Sequence, residues 1–233
     1  LILLVAAAFS PLVGQCVSQK LGTPQVSDLY TDAVQFEDHL VLSNGFGLFI
    51  KNINSLDESF VNVEAVPGEV SQISLVGNRL MVASLDTGVY ILSYADYPEP
   101  PTFEQFHPIP GLRSITYSEP YLFAALDDQV LMYRFAGARD GALGALTQVD
   151  QLDRSVTGMI SGSNLLLLQG EDGGVHISPY GDSGFNGTGR PLVLEGETAF
   201  YDLEYQNDVF VVDGLSGVRW FEAAADGSIS RQG

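Results

Sequence analysis

Several groups of residues in this chain are of types that could do chemistry. Gly181-Asp182-Ser183-Gly184 sets a serine beside a carboxylate between two glycines. A serine nucleophile needs a histidine base that is itself oriented by a carboxylate. The three histidines, His39, His107 and His176, lie far apart in sequence, and none has flanking residues that suggest such a base. The segment therefore reads as turn chemistry, since Gly, Asp and Ser are ordinary turn formers. The same wide spacing argues against zinc, whose ligands usually come in short-spaced pairs. No glycine-rich phosphate loop of the P-loop or dinucleotide type is present.

A second group is acidic. Asp86, Asp127, Asp128, Asp172 and Asp213 stand in short polar turns between apolar runs. Carboxylates and turn carbonyls on one face could hold Ca²⁺, a hard cation that takes oxygen ligands. Asp also simply makes good hairpin turns, and one carboxylate per turn is a poor cage. These five are weak metal candidates, and the expectation is that the chain needs no cofactor. A milder inference is that they give one face a negative field. A third group comprises Gln35, Gln72, Ser74, Thr116, Asp202 and Glu204, which sit on apolar runs instead of in turns.

The lone cysteine, Cys16, follows an uncharged apolar stretch, residues 1–13, through Val13-Gly14-Gln15. That stretch is shorter than the ~20 residues an ordinary spanning helix needs. It reads as the apolar core of an export signal. Residues 13–16 resemble a bacterial lipoprotein signal, which would make Cys16 a lipidation site, although Gln15 replaces the usual small residue. The alternative is a generic export signal with a chance cysteine. With one cysteine there is no internal disulfide, so packing must hold the fold. The expected organisation is a signal over residues 1–16, a polar linker over 17–32 and a folded part over 33–233.

Composition narrows the partners. The chain has 233 residues, 45% of them hydrophobic, and a formal charge of −19 from 29 acidic and 10 basic residues. It can bury a core and is not of the disordered class. A field of that sign repels phosphate backbones, so nucleic acid is not expected as a partner. It suits cations, basic partners or solubility in salty surroundings.

The elements that must position these residues come from a repeat. Apolar runs of three to five residues are bounded by Gly, Asp, Asn or Pro, which is strand patterning and not helical spacing. One recurring position, the start of a third strand, falls at Leu48, Val89, Val130, Val175 and Val218, spaced by 41, 41, 45 and 43 residues. Glycine precedes it in four units, as Gly47, Gly88, Gly174 and Gly217, with Gln129 the exception. A second strand lies upstream of each, as in Leu80-Met81-Val82 and Leu165 to Leu168. Four short strands per period of about 40–45 residues is the pattern of β-propeller blades. A two-sheet sandwich would have no reason to repeat the same turn chemistry. The fold class is therefore all-β, a propeller of four-stranded blades. About five units are visible, near 33–70, 71–112, 113–156, 157–200 and 201–233, and the chain reads as truncated at one or both ends. Outer strands are predicted at 60–65, 102–106, 146–152 and 191–194. The fifth is expected only to begin, at Ser228-Ile229-Ser230, before the chain stops.

The second unit carries a family resemblance. Gly77-Asn78, Leu80 to Ala83, Gly88-Val89 and Ile91-Leu92-Ser93-Tyr94-Ala95-Asp96-Tyr97-Pro98 follow the order of the LVIVD repeat of bacterial and archaeal cell-surface proteins. Gly47-Leu48-Phe49-Ile50 and Gly217-Val218-Arg219-Trp220 match more weakly. Ser93 and Lys51 replace the motif aspartate. The resemblance implies a surface-exposed propeller and brings no catalytic residues with it.

Three functions follow as expectations. The leading one is a non-enzymatic extracytoplasmic propeller, bacterial, held to the envelope or secreted, that binds a protein or surface ligand on its acidic loop face. The alternative is a metal-dependent hydrolase or lactonase of propeller type, its channel metal held by the inner-strand group named above. The third is a structural module of a larger surface protein.

Overall fold

In the computed structural model the described residues are 32–43, 47–55, 60–63, 66–94, 99–137, 143–162, 164–193, 200–206, 209–214, 217–224 and 226–233. The expected signal, Cys16 and all of the linker but Asp32 lie outside them. No helix occurs among the described residues, and the strands form five antiparallel sheets in chain order. The first sheet has β1 (Asp32–Phe36), β2 (His39–Ser43), β3 (Leu48–Asn52) and β4 (Val61–Asn62). The second has β5 (Val70–Val76), β6 (Arg79–Ser84), β7 (Gly88–Ser93) and β8 (Thr102–Pro108). The third has β9 (Ser114–Ser118), β10 (Tyr121–Ala125), β11 (Val130–Phe135) and β12 (Leu146–Leu152). The fourth has β13 (Gly158–Gly162), β14 (Leu165–Gln169), β15 (Val175–Gly181), the two-residue β16 (Gly184–Phe185) and β17 (Arg190–Pro191). The fifth has β18 (Phe200–Gln206), β19 (Val209–Gly214), β20 (Gly217–Ala223) and β21 (Ile229–Gln232).

Each sheet is a meander of consecutive strands, as tight Gly, Asn and Asp turns dictate. The repeat alignment survives at the level of register. Leu48, Val89, Val130, Val175 and Val218 stand opposite Ser43, Ala83, Ala125, Gln169 and Asp213 of the second strands; the pairing begins there in the first, third and fourth sheets and one residue earlier, at Gly88 and Gly217, in the second and fifth. Several details differ from expectation. Asp32, assigned to the linker, is the first residue of β1. The fifth outer strand is formed, because β21 pairs with β20 from Phe221 to Ala223. The fourth sheet has a small inserted hairpin, since β15 runs on to Gly181 and turns back through β16. Its remaining outer strand shrinks to Arg190–Pro191.

The second strands explain the uninterrupted apolar runs. A strand buried on one face alternates, whereas a strand buried on both faces has no polar side to show. Along β6, Leu80 and Val82 pack toward the first sheet, while Met81 and Ala83 pack toward the third. Along β14, Leu166 and Leu168 pack toward the third sheet, and Leu165 and Leu167 toward the fifth. Four apolar cores thus join the five sheets in a row. Each fully buried Leu or Phe side chain contributes about 1.5–3 kcal/mol. The first strands lie side by side in chain order, β1 with β5, β5 with β9, β9 with β13 and β13 with β18.

Candidate functional site: the channel and the loop face

The side-by-side first strands line a cavity of about 760 Å³. Its walls carry Asp32, Gln72, Ser74, Thr116, Ser161 and Tyr205, among others. Gln72, Ser74 and Thr116 of the expected channel group therefore do reach it. Gln35 turns its amide to the Glu37 carbonyl at 3.0 Å. Asp202 and Glu204 fall on β18, with their side chains outside the described residues.

The channel side chains have a structural occupation that the sequence did not disclose. The Ile73 N–H donates to Asp32 Oδ2 at 2.7 Å, and the Ile115 N–H donates to Gln72 Oε1 at 2.9 Å. The Ser161 N–H donates to Thr116 Oγ1 at 3.2 Å, and the two hydroxyls lie 3.1 Å apart. In each case a first-strand side chain accepts a backbone N–H of the next sheet's first strand. Asp32 and Gln72 stand at one register position, two steps across the ladder from Leu48 and Val89. These are latches between neighbouring sheets. They satisfy edge N–H groups that would otherwise lack a partner in the ladder. Burial raises the Asp32 carboxyl above its ordinary value, against the lowering effect of the two N–H groups it accepts. Replacing Gln72 with alanine is expected to cost about 1 kcal/mol, the net worth of one hydrogen bond. Gln72→Glu, which keeps an acceptor, should cost less. Urea unfolding of the two variants measures the difference.

At the next junction the latch gives way to packing. An added Cβ on Gly162 would lie 2.3 Å from the Tyr205 ring, so β13 has a glycine where that tyrosine seats.

The five candidate aspartates are held as follows. The Asp86 N–H donates to the Leu112 carbonyl at 3.0 Å, so the β6–β7 turn and the connection between the second and third sheets share one face. Arg113, in that connection, reaches Asp127 at 2.7 Å and Asp86 at 3.3 Å. The guanidinium holds the Asp127 carboxyl below the usual carboxylate range. Asp128 is exposed beside it. Asp172 accepts the Gly174 N–H at 2.9 Å, an Asp closing its own turn. The side chain of Asp213, at the end of β19, lies outside the described residues. Among the described residues, Arg113 thus links two of the candidates, Asp86 and Asp127. Among the described residues no three His, Cys, Asp or Glu gather as a metal-holding group.

The Gly181–Gly184 segment is the β15–β16 turn. Asp182 accepts the Tyr121 hydroxyl and pairs with Arg134 at 3.4 Å. Its carboxylate staples the fourth sheet to the third. The histidines stay in separate sheets: His39 stacks on Tyr94, His107 lies edge-on to Phe135, and His176 is on β15. Burial lowers the pKa of both His107 and His176, and Arg154 adds to the effect at His176.

No protein-family model and no curated protein sequence matches this chain. Among solved structures it is similar to the computationally designed Ika8 protein, with a TM-score of 0.60 at 15% identity over 93% of this chain and 65% of that one. It is similar to Hsv2 from Kluyveromyces lactis, with a TM-score of 0.54 at 14% identity over 88% of this chain and 63% of that one. BamB from Moraxella catarrhalis gives 0.54 at 12% identity over 80% of this chain and 55% of that one. The chain spans less than two thirds of the length of each of these three. Such likeness shows the fold, a propeller-like array of four-stranded sheets.

Proposed function

We propose that this chain is part of an extracytoplasmic β-propeller that works as a binding scaffold and not as an enzyme, with the β6–β7 side of the sheets as its binding face. The observation that carries this reading is the loop face itself. Hairpin turns bearing Asp86, Asp127, Asp128 and Asp172 project from successive sheets, and Arg113 offsets only part of their charge. Clustered charge of one sign raises the encounter rate with an oppositely charged partner. The channel favours the scaffold reading over a hydrolase, because Gln72 and Thr116 already accept backbone N–H groups and Gln35 is turned to its own strand's turn. The partner on this reading is a basic segment of a protein or surface ligand, with Cys16 as an envelope anchor where the signal is of lipoprotein type.

The test replaces Asp86, Asp127, Asp128, Asp172 and Asp213 with asparagine and measures binding to an immobilised lysine-rich peptide. Affinity should fall about tenfold or more at low salt, and the difference should shrink near 0.15 M salt, where the screening length is about 8 Å. Unchanged low-salt binding would sink the reading. Stability should hardly move, since exposed ion pairs such as Arg113–Asp127 contribute about 0–1 kcal/mol.

A further inference from the structure

Every sheet in the row has a backward side and a forward side. The forward side is built from alternate residues of the second and third strands, and it includes the residue at the repeat position of the third strand, the first in β3, β11 and β15 and the second in β7 and β20. At that position Leu48, Val89, Val130 and Val175 are each 2% exposed or less, because the following sheet covers them. The fifth sheet repeats the pattern. Val218 occupies the same register position, and Val211 pairs with Trp220 as Val41 does with Ile50. Yet Val218 is 69% exposed, and Val211 and Trp220 are only half-buried. Arg231 stacks on the Trp220 ring at 5.5 Å and Gly233 lies against the same ring, so what partly covers it is the outer strand of its own sheet and the residue after it.

The first strand of the fifth sheet points the same way. Asp202 pairs with Asp213, which pairs with Val218, so Asp202 holds the register position of Asp32 and Gln72. At that position in the first and second sheets an acceptor receives the N–H of the following first strand.

We propose that the forward side of the fifth sheet is a docking surface for a sixth four-stranded antiparallel sheet of the same repeat, carried on the same polypeptide. This rests on the propeller reading and deepens it. The occupant follows from continuity. All four existing interfaces join consecutive units, and each covering sheet offers two buried apolar residues at alternate positions of its second strand. A second copy of this chain would have to offer the backward pair of its first sheet, Leu40 and Leu42. That pair is already buried, at 7% and 1% exposure. Two of the similar structures are longer than this chain, which covers 65% of the designed Ika8 protein and 63% of Hsv2.

Trp220 is the only tryptophan in the chain and stands on the proposed surface, so its fluorescence reports docking. The comparison is between the 233-residue chain and the polypeptide translated to the end of its open reading frame, with any further tryptophan changed to phenylalanine. Acrylamide should quench Trp220 severalfold less in the longer polypeptide. Val218→Lys should restore quenching there and leave the unfolding midpoint of the 233-residue chain unchanged. Equal quenching in the two would overturn the proposal, as would a reading frame with no further repeat unit. Shielding that rises with concentration as the mass doubles would mean that a second copy covers the surface, which also overturns it. So would a shielded Trp220 in a monomeric 233-residue chain, since the first sheet would then close on the fifth. The propeller reading fails separately, if hydrogen exchange finds no protected second strands recurring every 40–45 residues.

Discussion

Gly88→Ala is expected to lower stability by about 3 kcal/mol or more, combining backbone strain with an overpacked contact. Gly88 has φ +147°, and an added Cβ would lie 2.2 Å from the His107 carbonyl oxygen and 2.8 Å from the Ile109 nitrogen. Both obstacles are backbone, so no side chain can swing aside. The approach is close because Gly88 pairs with Pro108, where the end of β8 runs beside the start of β7. Gly77 is the control. It also has positive φ, +57°, but nothing lies within 4 Å of its added Cβ. Gly77→Ala should therefore cost only the left-handed backbone penalty, about 1–2 kcal/mol. Urea titrations of the two variants give the comparison. Equal losses would show that the neighbouring strand is not what demands glycine at position 88.

Phe123→Ala should cost about 3–5 kcal/mol, the range for emptying a large buried aromatic. Phe123 is fully buried on β10 and faces the fourth sheet. Its ring lies 4.6 Å from that of Tyr180 and 6.0 Å from that of Phe185. Tyr180 also meets the Tyr121 ring, edge-on at 5.6 Å. The site cannot collapse easily, so most of the cavity should persist. Hydrogen exchange should quicken first in β10 and β14, whose shared core is opened, and later in β2, three junctions from β14. Uniform acceleration along the chain would mean that the five sheets unfold as one unit.

The repeat was legible in the sequence because its signal is carried by what each strand buries and how each turn bends. Leu165 to Leu168 has no polar alternation, and in a run this short, bounded by turn residues, that fits a strand covered on both faces. Gly88 and Gly217 mark a turn that side chains rarely fit, and both have positive φ. The outer strands were less legible. They are half-exposed and tolerate Pro and polar residues, so the expected 60–65 shortened to Val61–Asn62 while 146–152 held. The latches were not legible at all. Asp32, Gln72 and Thr116 differ in type, and their common role depends on which N–H the neighbouring strand brings close. Gln72 and Thr116 stood out as polar residues of inner strands that could face a channel, and nothing in the sequence marked them as links between sheets. The pairing of Asp86 with Asp127 through Arg113 was hidden for a similar reason, since the arginine comes from a different loop.

The doubly covered second strands also bear on the chain before it folds. Leu80 to Ala83, Leu122 to Ala125 and Leu165 to Leu168 are uncharged segments of strand-forming residues, and each is burdensome while its covering sheets are unmade. Such segments pair readily with copies of themselves. The turns that follow them, with Asp86, with Asp127 and Asp128, and with Glu171 and Asp172, set negative charge at the end of each segment. The −19 of the whole chain keeps separate copies apart at the same stage. The acidic turns thus act twice, first as spacers that hold unfolded chains from one another and only later as the surface of the folded face.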